Sequence, residues 1–496
     1  MVIVFMKNAH NTVYNDEPII SNLEDNLLRI KKICDYSSDL LVNEINVSGI
    51  NIALLCCEGM ISTSTLTELV LLPLTNIQLG ESSPQNLYDH IDTKMLLSID
   101  RMNLFTYEKL FKTLNSGFVI LVIDGLDKAL AFGVQGFDKR GVSEPASEGN
   151  IMGAREGFIE SVRANMSLIR RRIKSPTLKF EIMTRGTQSN TDLCLCYMRD
   201  RVPKKLLNDI KASINKIDLE VILSSGYVKP FVENKSNSFF DSVGTTERPD
   251  VLCSKLMEGR VAILIDGTPF ALVIPKLFNE SFQTLDDYDF KPYYSTFVRW
   301  VKYIAFFVSI LLPSFYIASA IHHPELLNGK LLLILAEAES NAPFSIIAES
   351  IGMLIAYEII REAGIRLPRS VGGAVSIVAG LIIGDAAVES GFVSTPLLTV
   401  IAISVISGFL TPDLHQQITL LRLLFVLSGG LWGLFGISLL AAVFLFNICS
   451  TEDYGFPITA PISPFMPKAM RDIITRVDFK KMQDDTFTIG SLKSEK

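Results

Sequence analysis

The sequence lacks the short motifs that carry most enzyme chemistry. Its 496 residues contain no GxxxxGKS/T phosphate loop, no glycine-rich dinucleotide loop, no GxSxG and no HExxH. Histidine is scarce, with five residues, and the seven cysteines are odd in number and lie mostly in apolar runs. This favours reduced, buried thiols over a disulfide framework or a zinc site. We therefore expect no enzyme activity, no metal site and no cofactor.

Two further absences bear on location and partners. The N-terminus has no basic stretch followed by an apolar segment and a small-residue cleavage site, so we expect no secretory signal and a cytoplasmic N-terminal domain. Positive charge is not in excess, since the net charge is -7. That balance argues against nucleic acid as a partner.

Long apolar runs, in contrast, are plentiful in the second half of the chain. Of all residues 48% are hydrophobic, and they concentrate between Tyr303 and Ile448. Because one helical crossing takes about 20 apolar residues, we predict an α/β soluble N-terminal region of two similar subdomains, followed by an α-helical polytopic membrane domain. The predicted boundaries are subdomain 1 at 1–150, a linker helix and subdomain 2 at 151–297, a transmembrane domain of four to six segments at 298–450, and a C-terminal cytoplasmic tail at 451–496.

The two subdomains are predicted from a weak internal repeat. Residues 117–125 (GFVILVIDG) and 259–267 (GRVAILIDG) each read as a strand that enters an Asp-Gly hairpin turn. Each follows a helical pattern, with a strand-then-helix pattern farther upstream. Short hairpins resemble one another easily, so coincidence remains an alternative to duplication.

The linker between the repeats reads as an amphipathic helix over 155–173. Its polar face carries Arg163, Arg170 and Arg171. This face is either solvated, or a cationic surface for anionic headgroups or an acidic partner.

The first membrane segment is predicted at Tyr303 to Ile321, and the next segment, 341–360, is much more polar. Its small and polar stripe suits a bundle interior or a water-filled path better than lipid. The alternative is an amphipathic helix that lies flat at the interface. The candidate pore-lining residues are Ser345, Glu349, Gly352 and Ala356, spaced four, three and four apart.

The stretch from Val371 to Leu410 contains only two formal charges, Asp385 and Glu389, and Pro396 divides it into two helices. The two carboxylates are candidate buried membrane carboxylates, either in an ion path or at a shallow position near the far interface. Small residues at every fourth position predict close helix packing; they are Gly372, Ser376, Gly380 and Gly384.

The last apolar run, Ile418 to Ile448, has 31 residues and a glycine cluster in its middle. A straight helix of that length would measure about 46 Å, against about 30 Å of hydrocarbon, so a tilt, a break or a re-entrant bend is needed. The basic residues that follow place the tail in the cytoplasm, whereas five simple crossings would place it outside. Either the 341–360 segment does not fully cross, or the glycine cluster breaks the last run.

Four segments of the sequence resemble a known family. The segments 155–176 (REGFIESVRANMSLIRRRIKSP), 244–250 (GTTERPD), 258–275 (EGRVAILIDGTPFALVIP) and 370–394 (SVGGAVSIVAGLIIGDAAVESGFVS) resemble the A subunits of GerA-type spore germinant receptors. The resemblance extends from about residue 20 to 476; Gly373 and Ala154 stand where the family pattern has Gln and Pro.

The resemblance implies a multi-pass protein of the spore inner membrane that works with a nutrient-binding, transporter-like B subunit and a lipoprotein C subunit. It also implies a homo-oligomer, a pentamer, that acts as a nutrient-gated channel for monovalent cations and triggers germination. Within that expectation, a ring of Glu349 side chains would attract cations. The alternative is a non-conducting scaffold or signal-relay subunit of the same complex, whose carboxylates pair with groups on partner subunits. An intramembrane aspartyl protease is disfavoured, because its motif needs a glycine where Ile382 stands.

Overall fold

The computed structural model describes residues 17–79, 82–94, 100–134, 136, 145, 148–233, 238–340, 342–367, 380, 386–467, 469–482 and 488–492. In these residues two five-stranded antiparallel sheets precede a bundle of long helices. The strands and the helices of eight or more residues are numbered below in chain order.

The first sheet has the strand order β1-β2-β4-β5-β3. Helices cover both faces, so the residues of β4 are buried throughout, and this is why its sequence is a continuous apolar run rather than an alternating one. Its strands are β1 (Leu40–Val47), β2 (Ile50–Cys57), β3 (Arg101–Leu104), β4 (Phe118–Ile123) and β5 (Ala129–Gly133), with α1 (Leu23–Ile33) and α2 (Tyr107–Leu114) on one face and the short helical segments Thr63–Leu66, Thr67–Leu71, Leu72–Thr75, Pro84–Asp89 and His90–Lys94 on the other side.

The second sheet repeats this order as β6-β7-β9-β10-β8. It too is covered on both faces, by one helix pair on each. Its strands are β6 (Leu178–Arg185), β7 (Thr191–Met198), β8 (Gly244–Thr246), β9 (Val261–Ile265) and β10 (Ala271–Ile274), with α3 (Val162–Arg172) and α6 (Pro249–Met257) on one face and α4 (Lys204–Asn215) and α5 (Ser225–Val232) on the other.

The repeat extends to individual hydrogen bonds. The Asp124 carboxylate accepts a hydrogen bond from the backbone N–H of Leu23, the first residue of α1, at 3.0 Å. The Asp266 carboxylate does the same for Val162, the first residue of α3, also at 3.0 Å. A carboxylate at a helix N-terminus satisfies an otherwise unpaired N–H and complements the helix dipole. The prediction of two subdomains of similar plan is confirmed, and each Asp-Gly loop also caps the helix that opens its subdomain.

The guanidinium of Arg170 joins the two subdomains. Its Nε donates to Asp39 Oδ2 of subdomain 1 at 2.8 Å, and the two side chains are 4% and 3% exposed. Arg163 and Arg171 of the same helix pair with Glu58 and Glu156. The prediction of a solvated or cationic face is therefore wrong for Arg170. Its side chain is buried between the subdomains and pairs with a carboxylate 131 residues away in the sequence.

We expect Arg170→Ala to lower the free energy of unfolding by about 3–5 kcal/mol, because Asp39 would remain buried without its partner. Arg163→Ala is the matched control: it also reaches across to subdomain 1, but its side chain is 51% exposed, so we expect a loss of about 1 kcal/mol or less. Denaturant unfolding of the full chain in detergent measures both. Equal losses in the two variants would contradict a structural role for the buried pair.

The helical bundle contains α7 (Pro292–Ile321), α8 (Gly329–Ser340), α9 (Ile346–Arg366), α10 (Thr395–Gly408) and α11 (His415–Ser450). Two helical stretches of the described chain are long and apolar enough to cross a membrane by length and composition, Pro292–Ile321 and Pro412–Ser450, and the most apolar 18 residues of each have a mean hydropathy of 2.1. α10 is apolar but shorter.

Helix α11 folds back on itself at Gly433. This residue has φ 59° and ψ -147°, outside the helical region. Phe425 and Phe444 lie on opposite sides of the bend with ring centroids 5.9 Å apart, whereas a straight helix would separate them by about 28 Å. The halves 415–432 and 434–450 are each about 26 Å long. The sequence left two alternatives open, an incomplete crossing by the segment 341–360 or a break of the last run at its glycine cluster. The structure has the break.

The segment predicted as a C-terminal tail packs against subdomain 2. Phe456 is 1% exposed within the core beneath β7 and β9. The Tyr454 hydroxyl donates to the Val232 carbonyl at 2.8 Å, and the Ile489 N–H donates to the Glu258 carbonyl at 2.9 Å. Its short elements are β11 (Glu452–Asp453), β12 (Phe456–Pro457) and the helical turns Ala469–Asp472, Phe479–Met482 and Ile489–Leu492.

Candidate functional site

The bundle has a near end, beside subdomain 2, and a far end. Helix α7 leaves the sheets at the near end, and at its far end the His322 ring lies 2.8 Å from the Gly430 carbonyl, close to the Gly433 bend. Asp413, just before α11, lies 3.5 Å from Lys276 of subdomain 2. Helix α11 therefore begins and ends at the near end.

Glu349 lies in the first turn of α9, at the far end, and it is 4% exposed. Its Oε1 accepts a hydrogen bond from the backbone N–H of Ser394, which caps α10. The positive end of the α10 dipole favours a carboxylate at this position. Its Oε2 has no hydrogen-bond partner among the described residues.

The other three predicted pore-lining residues do not share this environment. Ser345 is the exposed N-cap of α9, where its hydroxyl accepts from the Ala348 N–H at 3.4 Å. Gly352 is exposed, with open space around it, and Ala356 is half-buried. Within one chain, Glu349 therefore faces α10 while Gly352 faces outward. The pore-lining role of the four residues stays a prediction.

A second carboxylate shares the cap of α10. Glu339, at the end of α8, accepts a hydrogen bond from the Ser394 hydroxyl at 3.3 Å. The Tyr316 side chain of α7 lies within electrostatic reach of both carboxylates. No Lys, Arg or His of the described residues lies within 4.0 Å of either carboxylate as an ion-pair partner. We call Glu339, Glu349, Ser394 and Tyr316 the far carboxylate cluster.

The whole far end is negatively charged. The described residues of 322–349 and 386–394 include five carboxylates and one lysine, Lys330. Glu339 and Ser394 were not predicted as site residues, because nothing in the sequence showed that α8 and α10 would meet beside Glu349. The one indication in the sequence was the presence of Glu337 and Glu339 at the end of an apolar segment.

The structure describes only some of the remaining predicted membrane residues. Glu389 is exposed in the short helix Ala387–Glu389, and Gly380 is helical with no atom within 4 Å of an added Cβ. Close packing is seen instead in α11, where a Cβ on Gly429 would lie 2.8 Å from the Ser314 carbonyl. The predictions for Asp385, Gly372, Ser376 and Gly384 lie outside the described residues.

A buried ionic cluster ties the near end of the bundle to the sheets. Arg299 of α7 is 0% exposed; its Nε donates to Asp287 Oδ2 at 2.8 Å and its Nη1 to Asp472 Oδ1 at 3.1 Å. The Tyr288 hydroxyl donates to Asp472 Oδ2 at 2.7 Å, and burial together with the Asp472 charge raises the pKa of Tyr288. We call these four residues the near ionic cluster. It joins the connector before α7, α7 itself and the C-terminal segment.

Comparisons with known proteins give one family. Residues 28–486 match the family model for the Bacillus/Clostridium GerA spore germination protein. The chain is 35% identical over 466 residues to spore germination protein KA of Bacillus subtilis (strain 168), covering 92% of this chain and 85% of that protein. It is 32% identical over 381 residues to spore germination protein GerLA of Bacillus cereus, covering 76% and 77%.

A solved structure is also similar. It is the N-terminal domain of the A subunit of the Bacillus megaterium spore germinant receptor GerK3, with 28% identity, 53% of this chain and 98% of that chain covered, and a TM-score of 0.42. The family match over residues 28–486 confirms the resemblance in the sequence, and the chain belongs to the GerA family of spore germination proteins.

Proposed function

We propose that this protein is the A subunit of a nutrient germinant receptor of the spore inner membrane, and that copies of it assemble into a nutrient-gated cation channel. The family and the relatives named as spore germination proteins support the receptor role. The B subunit, which binds the nutrient, and the lipoprotein C subunit complete the receptor. The chain itself carries out no enzymatic step.

In this proposal the bundle lies in the membrane and the sheets lie in the cytoplasm. The near end carries the basic side chains of Arg299, Lys302, Arg361 and Arg366, whereas the described far end carries one lysine. Basic residues stay preferentially on the cytoplasmic side of a membrane. The contacts of the C-terminal segment with subdomain 2 support a cytoplasmic location for that segment as well.

The channel proposal is supported mainly by the far carboxylate cluster. Carboxylates at the mouth of a membrane bundle attract cations and repel anions, and here two of them have no basic partner among the described residues. In the conformation described, Glu349 is held by the Ser394 N–H. A conducting path lined by Glu349 therefore requires α10 to move away from α9, and nutrient binding on the B subunit would favour that state through differential contacts.

The test is Glu349→Gln, with nutrient-triggered release of potassium from spores as the measurement. We expect release to slow by about tenfold, since roughly 1.4 kcal/mol of lost attraction for the ion gives that factor, and we expect cation selectivity in planar bilayers to fall. Glu325→Gln is the control, because its side chain is also at the far end but is 68% exposed. Unchanged release and unchanged selectivity in Glu349→Gln would remove Glu349 from the path.

A non-conducting signal-relay subunit is the second candidate. It is favoured by the near ionic cluster, which couples α7 to the soluble region without any need for a pore. The purified protein distinguishes the two: a symmetric ring with a central membrane opening and single-channel currents supports the channel, and a receptor without either supports the relay.

A further inference from the structure

Arg422, in the first half of α11, is a buried cation without a carboxylate partner in the described part of the chain. It is 4% exposed. Its Nε donates to the Ser309 carbonyl at 2.7 Å and its Nη2 to the Ser404 carbonyl at 3.3 Å. Carbonyl oxygens orient the guanidinium but leave its charge unneutralised, and such a charge inside a membrane bundle is expected to face a counter-ion or water.

The guanidinium borders a cavity of about 580 Å³ between α9 and α11. Much of the wall is aliphatic, with Leu354, Ile355, Ile359 and Leu423 among the lining residues. Four charged residues line the cavity: Glu358, Glu362, Arg366 and Arg422. Glu362 pairs with Arg366, and Glu358 pairs with Arg361, which is not among the lining residues. Arg422 is therefore the charged lining residue that has no ion pair among the described residues. The cavity thus combines aliphatic walls with one guanidinium that has no ion pair, beside two carboxylates that are already paired.

In the proposed membrane placement, Arg422 lies near the cytoplasmic edge of the hydrocarbon. It lies seven residues after His415, the first residue of α11 at the near end, which is about 10 Å along the helix. An arginine at that depth reaches the headgroup region with its long side chain. Basic pockets between membrane helices on the cytoplasmic side are suited to anionic lipid headgroups.

We propose that this cavity binds an anionic phospholipid of the near leaflet, with the lipid phosphate at Arg422 and an acyl chain along the aliphatic wall of α9. The inference rests on the membrane placement in the proposed function. Because Arg422 also holds carbonyls of α7 and α10, the bound lipid would stabilise the packing of these two helices against α11. Lipid charge in the cytoplasmic leaflet would then act on α10, the helix that the gating step moves.

The test uses the full chain reconstituted in nanodiscs that contain equal amounts of phosphatidylglycerol and phosphatidylcholine, with native mass spectrometry of the lipids that remain bound after detergent extraction. We expect the wild type to retain phosphatidylglycerol over phosphatidylcholine by about fivefold, the effect of one basic side chain near an anionic surface. Arg422→Gln, whose amide can still donate to the Ser309 carbonyl, should lose this preference. Lys291→Gln should keep it, because that exposed basic side chain just before α7 at the near end does not line the cavity.

Equal retention of the two lipids by the wild type, or an undiminished preference in Arg422→Gln, would overturn the inference. Displacement of the bound lipid by millimolar glycerol 1-phosphate would overturn it as well, since the ligand would then be a soluble phosphate. If Arg422→Gln does not fold, Arg422→Lys takes its place: it retains the charge and should retain most of the preference, and its loss would reject a charge-based site. Extraction of the wild type from membranes by alkaline carbonate would instead reject the membrane placement. A chain that stays in the membrane but shows no lipid preference would reject only this lipid site.

Discussion

Arg299→Met should destabilise the chain by about 3–5 kcal/mol, because it leaves the buried Asp472 carboxylate without its arginine and leaves Asp287 only Lys302, at 3.5 Å. Arg299, Asp287 and Asp472 have side-chain exposures of 0%, 3% and 2%. Methionine occupies much of the same space, so the loss reports on charge rather than on a cavity. Guanidinium unfolding in detergent, followed by the fluorescence of the neighbouring Trp300, is the measurement.

Two further variants separate the buried cluster from a general effect of lost charge. Arg366→Met removes an arginine whose side chain is 76% exposed, and we expect a change of about 1 kcal/mol or less. Combining Arg299→Met with Asp472→Asn should recover much of the stability, because the unpaired carboxylate is then gone while Asp287 keeps Lys302. If Arg299→Met costs no more than Arg366→Met, the near ionic cluster does not hold α7 to the soluble region.

The soluble region could be predicted well because its signals are local. The runs 118–123 and 261–265 are apolar throughout and end at an Asp-Gly pair, so both strands and both loops follow from neighbouring residues. The partner of Arg170 could not be predicted in the same way. Asp39 lies 131 residues earlier, and only the docking of two sheets brings the two side chains together.

The bundle could be predicted less well, because its contacts join residues far apart in the sequence. Helical periodicity predicted one small and polar stripe on the segment 341–360, but in one chain Glu349 faces α10 while Gly352 is exposed, since a period does not say which neighbours the residues meet. Glu349 faces the N-terminus of α10, and its companion Glu339 comes from a helix for which no function was predicted from the sequence. Arg299 lies four residues before the first predicted membrane segment, and its burial in an ionic cluster could not be predicted because its partners, Asp287 and Asp472, come from outside that segment.

The bend of α11 also needed tertiary information. Four glycines lie between 429 and 436, and any of them could end a helix. Gly433 is the one that bends, and the end of α7 packs directly against it: a Cβ on Gly433 would lie 3.0 Å from the Cβ of His322. The break is thus located by a neighbour about a hundred residues away, not by the glycine pattern alone.

Gly433→Ala should therefore disrupt the position of the entire C-terminal segment. The conformation at φ 59° and ψ -147° is essentially restricted to glycine and costs other residues about 1–3 kcal/mol, and the contact with His322 adds to this cost. If α11 straightens, its 36 residues span about 54 Å, and the segment that contains Phe456 leaves subdomain 2. We expect a protease site added at the C-terminus to lose its cytoplasmic accessibility in sealed vesicles.

Gly455→Ala is the matched control for Gly433→Ala. Gly455 also has a positive φ, 79°, but no atom lies within 4 Å of an added Cβ, and it is outside the bundle. It should lose about 1 kcal/mol of stability and keep the C-terminus accessible. Since both variants carry the strain of a left-handed residue, any difference between them reports on the bend and its packing against α7. A Gly433→Ala chain with the accessibility and stability of Gly455→Ala would mean that the two halves of α11 stay together without the glycine, and that their apolar contacts, such as Phe425 with Phe444, are sufficient to hold the hairpin.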